Sequence, residues 1–331
     1  MWFEKLTGFS EVSPQNVRDN ITISGNTFIS RVNSRKFSFG KLEISTLAEL
    51  KKQNLKISNY KERIQVKEIV ADVQKLHCQL ENSNSLFQAA SQFNLLEMVN
   101  PSVTPEQGID RYEFDRTQGP ACAISCGAGT IYRNYFTEVN GQMGQTANNQ
   151  INCLDLIGNA LNNDKLNLWT MQNGYALFNQ KGLLAINKKI AHLSETEREK
   201  LKEKLKTGIQ WDTEVTLSDT KHKVSQIYCS ALPVAYSDVN SSYWEPFARI
   251  ILEAAYESTL YAGILNMLSN NSNKVFLTLI GGGAFGNKEH WILDSLQKSI
   301  RKFKKVPLDI SIVSYGRSNP DVVKCINEIL N

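Results

Sequence analysis

One short stretch constrains the fold of this chain more than any other. Residues 275–280 read VFLTLI, a run with almost no polar alternation, followed at once by GGGAFGN and then by an amphipathic helical pattern. A strand of that composition is covered on both faces, because a half-solvated strand alternates apolar with polar residues. Similar alternation of short apolar runs with long amphipathic stretches begins near residue 90. It predicts strands at 121–125, 166–170, 209–211, 224–229, 275–280 and 308–314. Helices are predicted at 148–161, 195–205, 244–268, 290–303 and 320–330. Strands alternating with helices build an α/β fold, here a three-layer α/β/α sandwich around a central mixed sheet. Residues 1–85 differ: Ser/Asn/Gly turns separate short strand-like runs, and a helical pattern follows over 47–80. They are expected to form an appended N-terminal α+β region, with the main domain spanning 86–331.

Composition narrows the function classes. With 37 Lys+Arg against 33 Asp+Glu the net charge is +4, and the basic residues lie along amphipathic faces, so no nucleic-acid partner is expected. No apolar run approaches the ~18 residues of a membrane span, so no membrane partner is expected either. The start, MWFEKLTGF, lacks the pattern of a secretory signal. The six cysteines form no CxxC pair, and the four histidines are dispersed. That distribution predicts reduced thiols, a cytoplasmic location and no metal.

In open α/β sheets ligands sit beyond the carboxyl ends of the strands, so the loops there carry the functional signal. The strongest is Gly281-Gly282-Gly283-Ala284-Phe285-Gly286-Asn287. Consecutive glycines let backbone N–H groups turn toward a ligand, and such donors hold anionic oxygens such as those of phosphate. The Lys and Ser/Thr of a P-loop are missing. Gly281, Gly283 and Gly286 fit GxGxxG, but no second βαβ half follows, which disfavours a dinucleotide cofactor and hydride transfer. A second glycine signal, Gly127-Ala128-Gly129-Thr130, opens a long polar stretch reaching Gln145-Thr146-Ala147-Asn148-Asn149. Its amides suit a hydroxyl-rich ligand such as ribose.

Together the two glycine loops resemble the macrodomain superfamily, nearest to its poly(ADP-ribose) glycohydrolase branch and to bacterial effector-type ADP-ribosyl hydrolases. The likeness spans roughly residues 110–330 and is closest at Ala284-Phe285-Gly286. The resemblance implies a macrodomain-type sandwich and a partner that is ADP-ribose or an ADP-ribosylated protein, with no cofactor. It places the diphosphate on Gly281–Asn287 and the nucleoside against Phe285, with Gly127, Gly129, Thr130, Asn148 and Asn149 on the ribose side. Asp115, or Asp110, would accept a hydrogen bond from the adenine amine. An effector-type member would work in a host cytosol.

One departure matters. The glycohydrolase branch follows its triple glycine with Gln–Glu–Glu, whereas the corresponding stretch here, 145–149, carries amides. An amide cannot shuttle the proton of general acid–base catalysis. The carboxylates are therefore sought in Gln210-Trp211-Asp212-Thr213-Glu214, where Asp212 and Glu214 alternate on one side of an extended segment, with Asp219 on the next turn. Acids of this kind stabilise a ribosyl cation or activate water. The expected activity is removal of ADP-ribose from a protein side chain, arginine favoured because paired carboxylates would hold the departing guanidine. A non-catalytic ADP-ribose reader and a hydrolase of a free ADP-ribose-containing nucleotide are the alternatives.

Overall fold

The computed structural model describes residues 1–54 and 63–330. In chain order, the first elements are α1 (Trp2–Thr7), α2 (Pro14–Asn20), β1 (Ile21–Ser24), β2 (Thr27–Ser30) and β3 (Lys36–Ser38). There follow β4 (Lys41–Thr46), α3 (Leu47–Asn54), β5 (Gln65–Val70), α4 (Val73–Cys78) and β6 (Leu86–Ala90). The middle of the chain holds α5 (Gln118–Ser125), α6 (Gly127–Tyr135), β7 (Glu138–Val139), β8 (Gln142–Met143), α7 (Asp155–Leu161) and α8 (Asn163–Leu166). A hairpin, β9 (Trp169–Gln172) and β10 (Tyr175–Phe178), leads to α9 (Gln180–Ala191), α10 (Glu195–Lys202), β11 (Lys206–Glu214) and β12 (Lys223–Cys229). The chain ends with α11 (Glu245–Asn270), β13 (Lys274–Leu277), α12 (Glu289–Arg301), β14 (Asp309–Ser314) and α13 (Pro320–Leu330).

Seven strands form one mixed sheet in the order β4-β11-β12-β6-β13-β14-β5. The five from β12 to β5 run parallel, while β11 is antiparallel to both of its neighbours. Alternation along β6 shows the layers, because successive side chains leave a strand on opposite faces. Phe87 stacks on His77 of α4 at 3.8 Å and on Phe276 of β13 at 4.4 Å. The next residue, Gln88, donates to Thr259 of α11 on the other face at 2.7 Å. Helices cover both faces, so the α/β/α sandwich holds.

Several local expectations change. Residues 121–125 lie in helix α5, not a strand; a short apolar run such as ACAIS does not by itself distinguish a buried helix turn from a buried strand. The strand near 166–170 is displaced to Trp169–Gln172 and, among the described residues, pairs only with β10, outside the central sheet. Of the helix expected at 148–161, only Asp155–Leu161 is helical. Residues 47–80 hold two short helices with strand β5 between them, and 55–62 lie outside the described residues. The first 85 residues supply β4 and β5, the two edges of the central sheet. The boundary expected at 85/86 therefore runs between strands of one sheet.

Candidate functional site

Where β6, β12 and β13 end side by side, their loops enclose a cleft. Its walls come from the loop after β6 (91–92 and 97–99), from Ala231 and Tyr236 after β12, from residues 278–281 and 283–285 of the glycine loop, and from Asp115 and residues 117–120 leading into α5.

The glycine loop is a tight turn locked from behind. Gly281 has φ +75°, and a Cβ there would lie 2.5 Å from Ala231 and 2.7 Å from the Asn287 amide, so no larger residue fits. Gly286 is also left-handed, at φ +68°. Asn287 is buried and donates from Nδ2 to the Leu232 carbonyl at 2.8 Å, tying the turn to the end of β12. Gly282 donates to Leu279 and Gly286 to Gly283, which closes the turn on itself. Among the described residues, the N–H groups of Gly283, Ala284 and Phe285 find no acceptor. A Cβ on Gly283 would meet open space. Gly281, Gly283, Ala284 and Phe285 line the cleft. Phe285 completes an aromatic wall with Tyr175 and Tyr236, at centroid distances of 5.4 and 5.7 Å.

The loop after β6 lines the same cleft. Residues 91–98 fold back on themselves: the Gln92 N–H donates to the Leu96 carbonyl, and Met98 N–H donates to Gln92 Oε1 at 2.7 Å. Leu95 sits at φ +65°, a left-handed conformation that is costly for a branched side chain. Its side chain occupies the space where Gly208 of β11 would otherwise carry a Cβ. Its carbonyl accepts from Nε of the fully buried Arg133 at 3.2 Å. Arg133 in turn lies 3.6 Å over the Tyr228 ring. This strained, anchored loop delivers Glu97 into the cleft, 5 % exposed. Burial pushes the Glu97 carboxyl well above the usual carboxylate range; Asp115 adds to the rise and Arg133 opposes it.

Of the other expected site residues, only Asp115 lines the cleft, where its Oδ1 accepts from the Thr117 N–H at 2.9 Å. Gly127 and Gly129 lie inside α6. A Cβ on Gly127 would strike Trp2, and one on Gly129 would press on Gln210 and Thr213, so both serve close packing. Thr130 is fully buried and donates to the Ala123 carbonyl at 2.6 Å. Asn148 is exposed, and Asn149 donates to the Val139 carbonyl at 2.7 Å; neither lines the cleft.

The three acids expected to be catalytic are at the wrong end of the sheet. The cleft lies beyond Cys229 of β12, whereas antiparallel pairing sets Glu214 opposite Lys223 at the start of that strand. Six residues of strand separate them, roughly 20 Å. Glu214 accepts from the Ser38 N–H at 2.9 Å, Asp212 accepts from Asn270 at 2.7 Å, and Asp219 lies in the turn before β12. Each has a local structural partner or a solvated turn, and none faces the cleft. The close acid group Glu199, Glu253 and Glu257 is elsewhere again, and the ammonium groups of Lys51, Lys202, Lys298 and Lys302 already pair with it.

Glu97 had one sequence signal, a single charge inside the apolar run FNLLEMV. Gln118 belongs to the Gln118-Gly119-Pro120 stretch that opens the second glycine signal; its side chain accepts from the Ala90 N–H at 2.9 Å and donates to the Gln88 carbonyl at 2.8 Å, capping the end of β6.

The fold and site define an α/β sandwich with a ligand cleft at the carboxyl edge of its parallel strands. No family model and no curated protein matches the chain. Among solved structures it is similar to the poly(ADP-ribose) glycohydrolase of Thermomonospora curvata, at 9% identity over 95% of each chain with a TM-score of 0.46. That enzyme bound to the inhibitor ADP-HPD gives 8% identity over 95% of each chain and a TM-score of 0.44. The Deinococcus radiodurans enzyme in complex with ADP-ribose gives 11%, over 87% of this chain and 94% of that one, with a TM-score of 0.44.

Proposed function

We propose that the chain binds ADP-ribose in this cleft and hydrolyses the glycosidic bond that joins an ADP-ribosyl group to its acceptor. The observation that carries the reading is the convergence of three unlike features on one cleft. Unpaired N–H groups at Gly283, Ala284 and Phe285 suit diphosphate oxygens. The aromatic wall of Phe285, Tyr175 and Tyr236 suits a nucleoside. The carboxyls of Asp115 and Glu97 supply the acid–base groups that glycoside hydrolysis needs. A simple strand–helix turn requires none of these.

The choice of arginine as acceptor rested on acids that face away from the cleft. Within the cleft, Asp115 is the half-exposed acid available to a guanidinium, so arginine remains the first acceptor to try. The six unpaired cysteines support a reducing, cytoplasmic setting. Calorimetry with ADP-ribose tests binding. Release of ADP-ribose from arginine-, glutamate- and serine-linked proteins and from poly(ADP-ribose) tests turnover and names the acceptor. Failure to bind ADP-ribose at millimolar concentration would end this reading.

A further inference from the structure

Resting on that reading of the cleft, we infer that Glu97 is the catalytic acid, giving its proton to the departing acceptor atom as the glycosidic bond breaks. The side chain lines the cleft and is buried, and Oε1 has no hydrogen-bond partner among the described residues. A buried carboxyl oxygen left unpaired is disfavoured unless something else requires it there. The surroundings are built to hold it. A Cβ at Gly119 would stand 2.3 Å from Glu97 Oε2 and 2.1 Å from the Ala90 carbonyl, so only glycine lets the first turn of α5 close over the carboxyl. From the other side the Glu97 backbone N–H donates to the Tyr112 hydroxyl at 2.8 Å. The strain at Leu95 falls two residues before it, in the same loop.

The groups facing Glu97 decide its protonation. Arg133 of α6 favours the ionised form, while Asp115 favours the neutral one. Tyr112, Tyr175 of β10 and Cys122 of α5 also sense its charge. Arg133 directs its donors to the Leu95 carbonyl, Thr130 and Gln210, so it does not form an ion pair with Glu97. Burial prevails over Arg133, and the balance shifts toward the protonated carboxyl.

The reaction balances with water as the only co-reactant. The bond from the ribose C1″ to the acceptor atom breaks with its electron pair staying on that atom, which takes the Glu97 proton. Water then bonds to C1″ and gives up a proton to the Glu97 carboxylate, restoring the acid. The products are ADP-ribose and the unmodified acceptor. One carboxyl thus acts as acid and then as base, the switch that glycoside hydrolysis elsewhere assigns to a single residue.

The test is Glu97→Gln, which keeps the shape and removes the proton. ADP-ribose affinity should stay within about threefold, while turnover falls by about 10²–10⁴-fold. Wild-type turnover should fall as pH rises through the raised carboxyl pKa, because the protonated form is the active one. A variant that retains more than about a tenth of the turnover overturns the role of Glu97 and leaves the hydrolase reading intact. A wild-type protein that binds no ADP-ribose, or binds it and releases none from any substrate, overturns the hydrolase reading itself. Should the variant fail to fold, the wild-type profile decides alone. A rate that does not fall with rising pH anywhere in the range over which the fold stays intact overturns the inference.

Discussion

Gly281 and Gly283 stand two residues apart in one loop, yet the structure gives them different tasks. Gly281 is left-handed and hemmed in by Ala231 and Asn287, whereas a Cβ on Gly283 points into open space at the cleft. Gly281→Val should therefore destabilise the fold, overpacking alone costing about 1–3 kcal/mol. Gly283→Val should leave the melting temperature nearly unchanged and weaken ADP-ribose binding at least about tenfold, or 1.4 kcal/mol, by filling the place proposed for the diphosphate. Melting curves beside calorimetry separate the two, and equal affinity for Gly283→Val and wild type would reduce the loop to a turn. This part of the site was legible in the sequence because its chemistry is local: a strand, glycines and a helix in succession. The acids were not. Asp212, Glu214 and Asp219 satisfied a spacing argument, but their distance from the cleft follows from β11 running antiparallel to β12, a fact of pairing that no short segment carries. Glu97 enters the cleft only because Leu95, Arg133 and Gly119 meet from three separate parts of the chain.

Among elements, the long helices were legible and the short ones were not. α11 and α12 begin and end within two residues of expectation, because three or more turns of amphipathic pattern overwhelm local ambiguity. α5, at eight residues, reads equally well as a strand. What joins the long helices is a charge cluster. Glu257 of α11, fully buried, pairs with Lys202 of α10 at 2.8 Å, with Lys302 beside α12 at 2.7 Å, and with Lys51 of α3 at 3.7 Å. Removing one partner of a buried ion pair strands the other, at about 3–5 kcal/mol. Glu257→Ala should thus lower stability by that order in a denaturant titration, and loss below about 1 kcal/mol would show that the lysines find water instead. The cluster also sets a pH dependence. Hydrogen bonds and attraction from Lys202 and Lys302 prevail over burial and hold the Glu199 carboxyl down to about 2, against the usual 4.5. A carboxyl depressed in the folded state contributes stability above its unfolded pKa and loses it as pH falls toward the folded one. Melting temperature should decline between pH 4.5 and about 2, and Glu199→Gln should flatten that decline. An identical acid limb in the variant would assign acid sensitivity to other groups.

At the scale of the whole molecule the open question is whether residues 1–85 are an attachment or part of the body. The sheet argues for the latter. β4 pairs with β11 over six residues and β5 with β14 over six, so the N-terminal segment closes both edges of the seven-stranded sheet. α3 packs Leu47 and Leu50, both fully buried, into the same core as α11. Trp2 and Leu6 of α1 sit against Gly127, and the Trp2 indole donates to the Ile109 carbonyl at 3.1 Å, buttressing the segment that leads to Asp115. A chain beginning at residue 86 would start at its central strand, with β11 and β14 as unpaired edges and the α3 contact surface bare. Unpaired edges and exposed apolar faces drive association between chains. The truncated chain should accumulate as aggregate, or remain soluble without a cooperative melt, while the full chain melts in one transition as a single body does. Supplying residues 1–85 in trans should not restore ADP-ribose binding, since two separate edges must be filled from one connected piece. The measurement is differential scanning calorimetry of both chains beside ADP-ribose titration. A cooperative melt of the truncated chain within about 3 °C of the full one, a difference of about 1 kcal/mol for a domain of this size, would restore the boundary at 85/86.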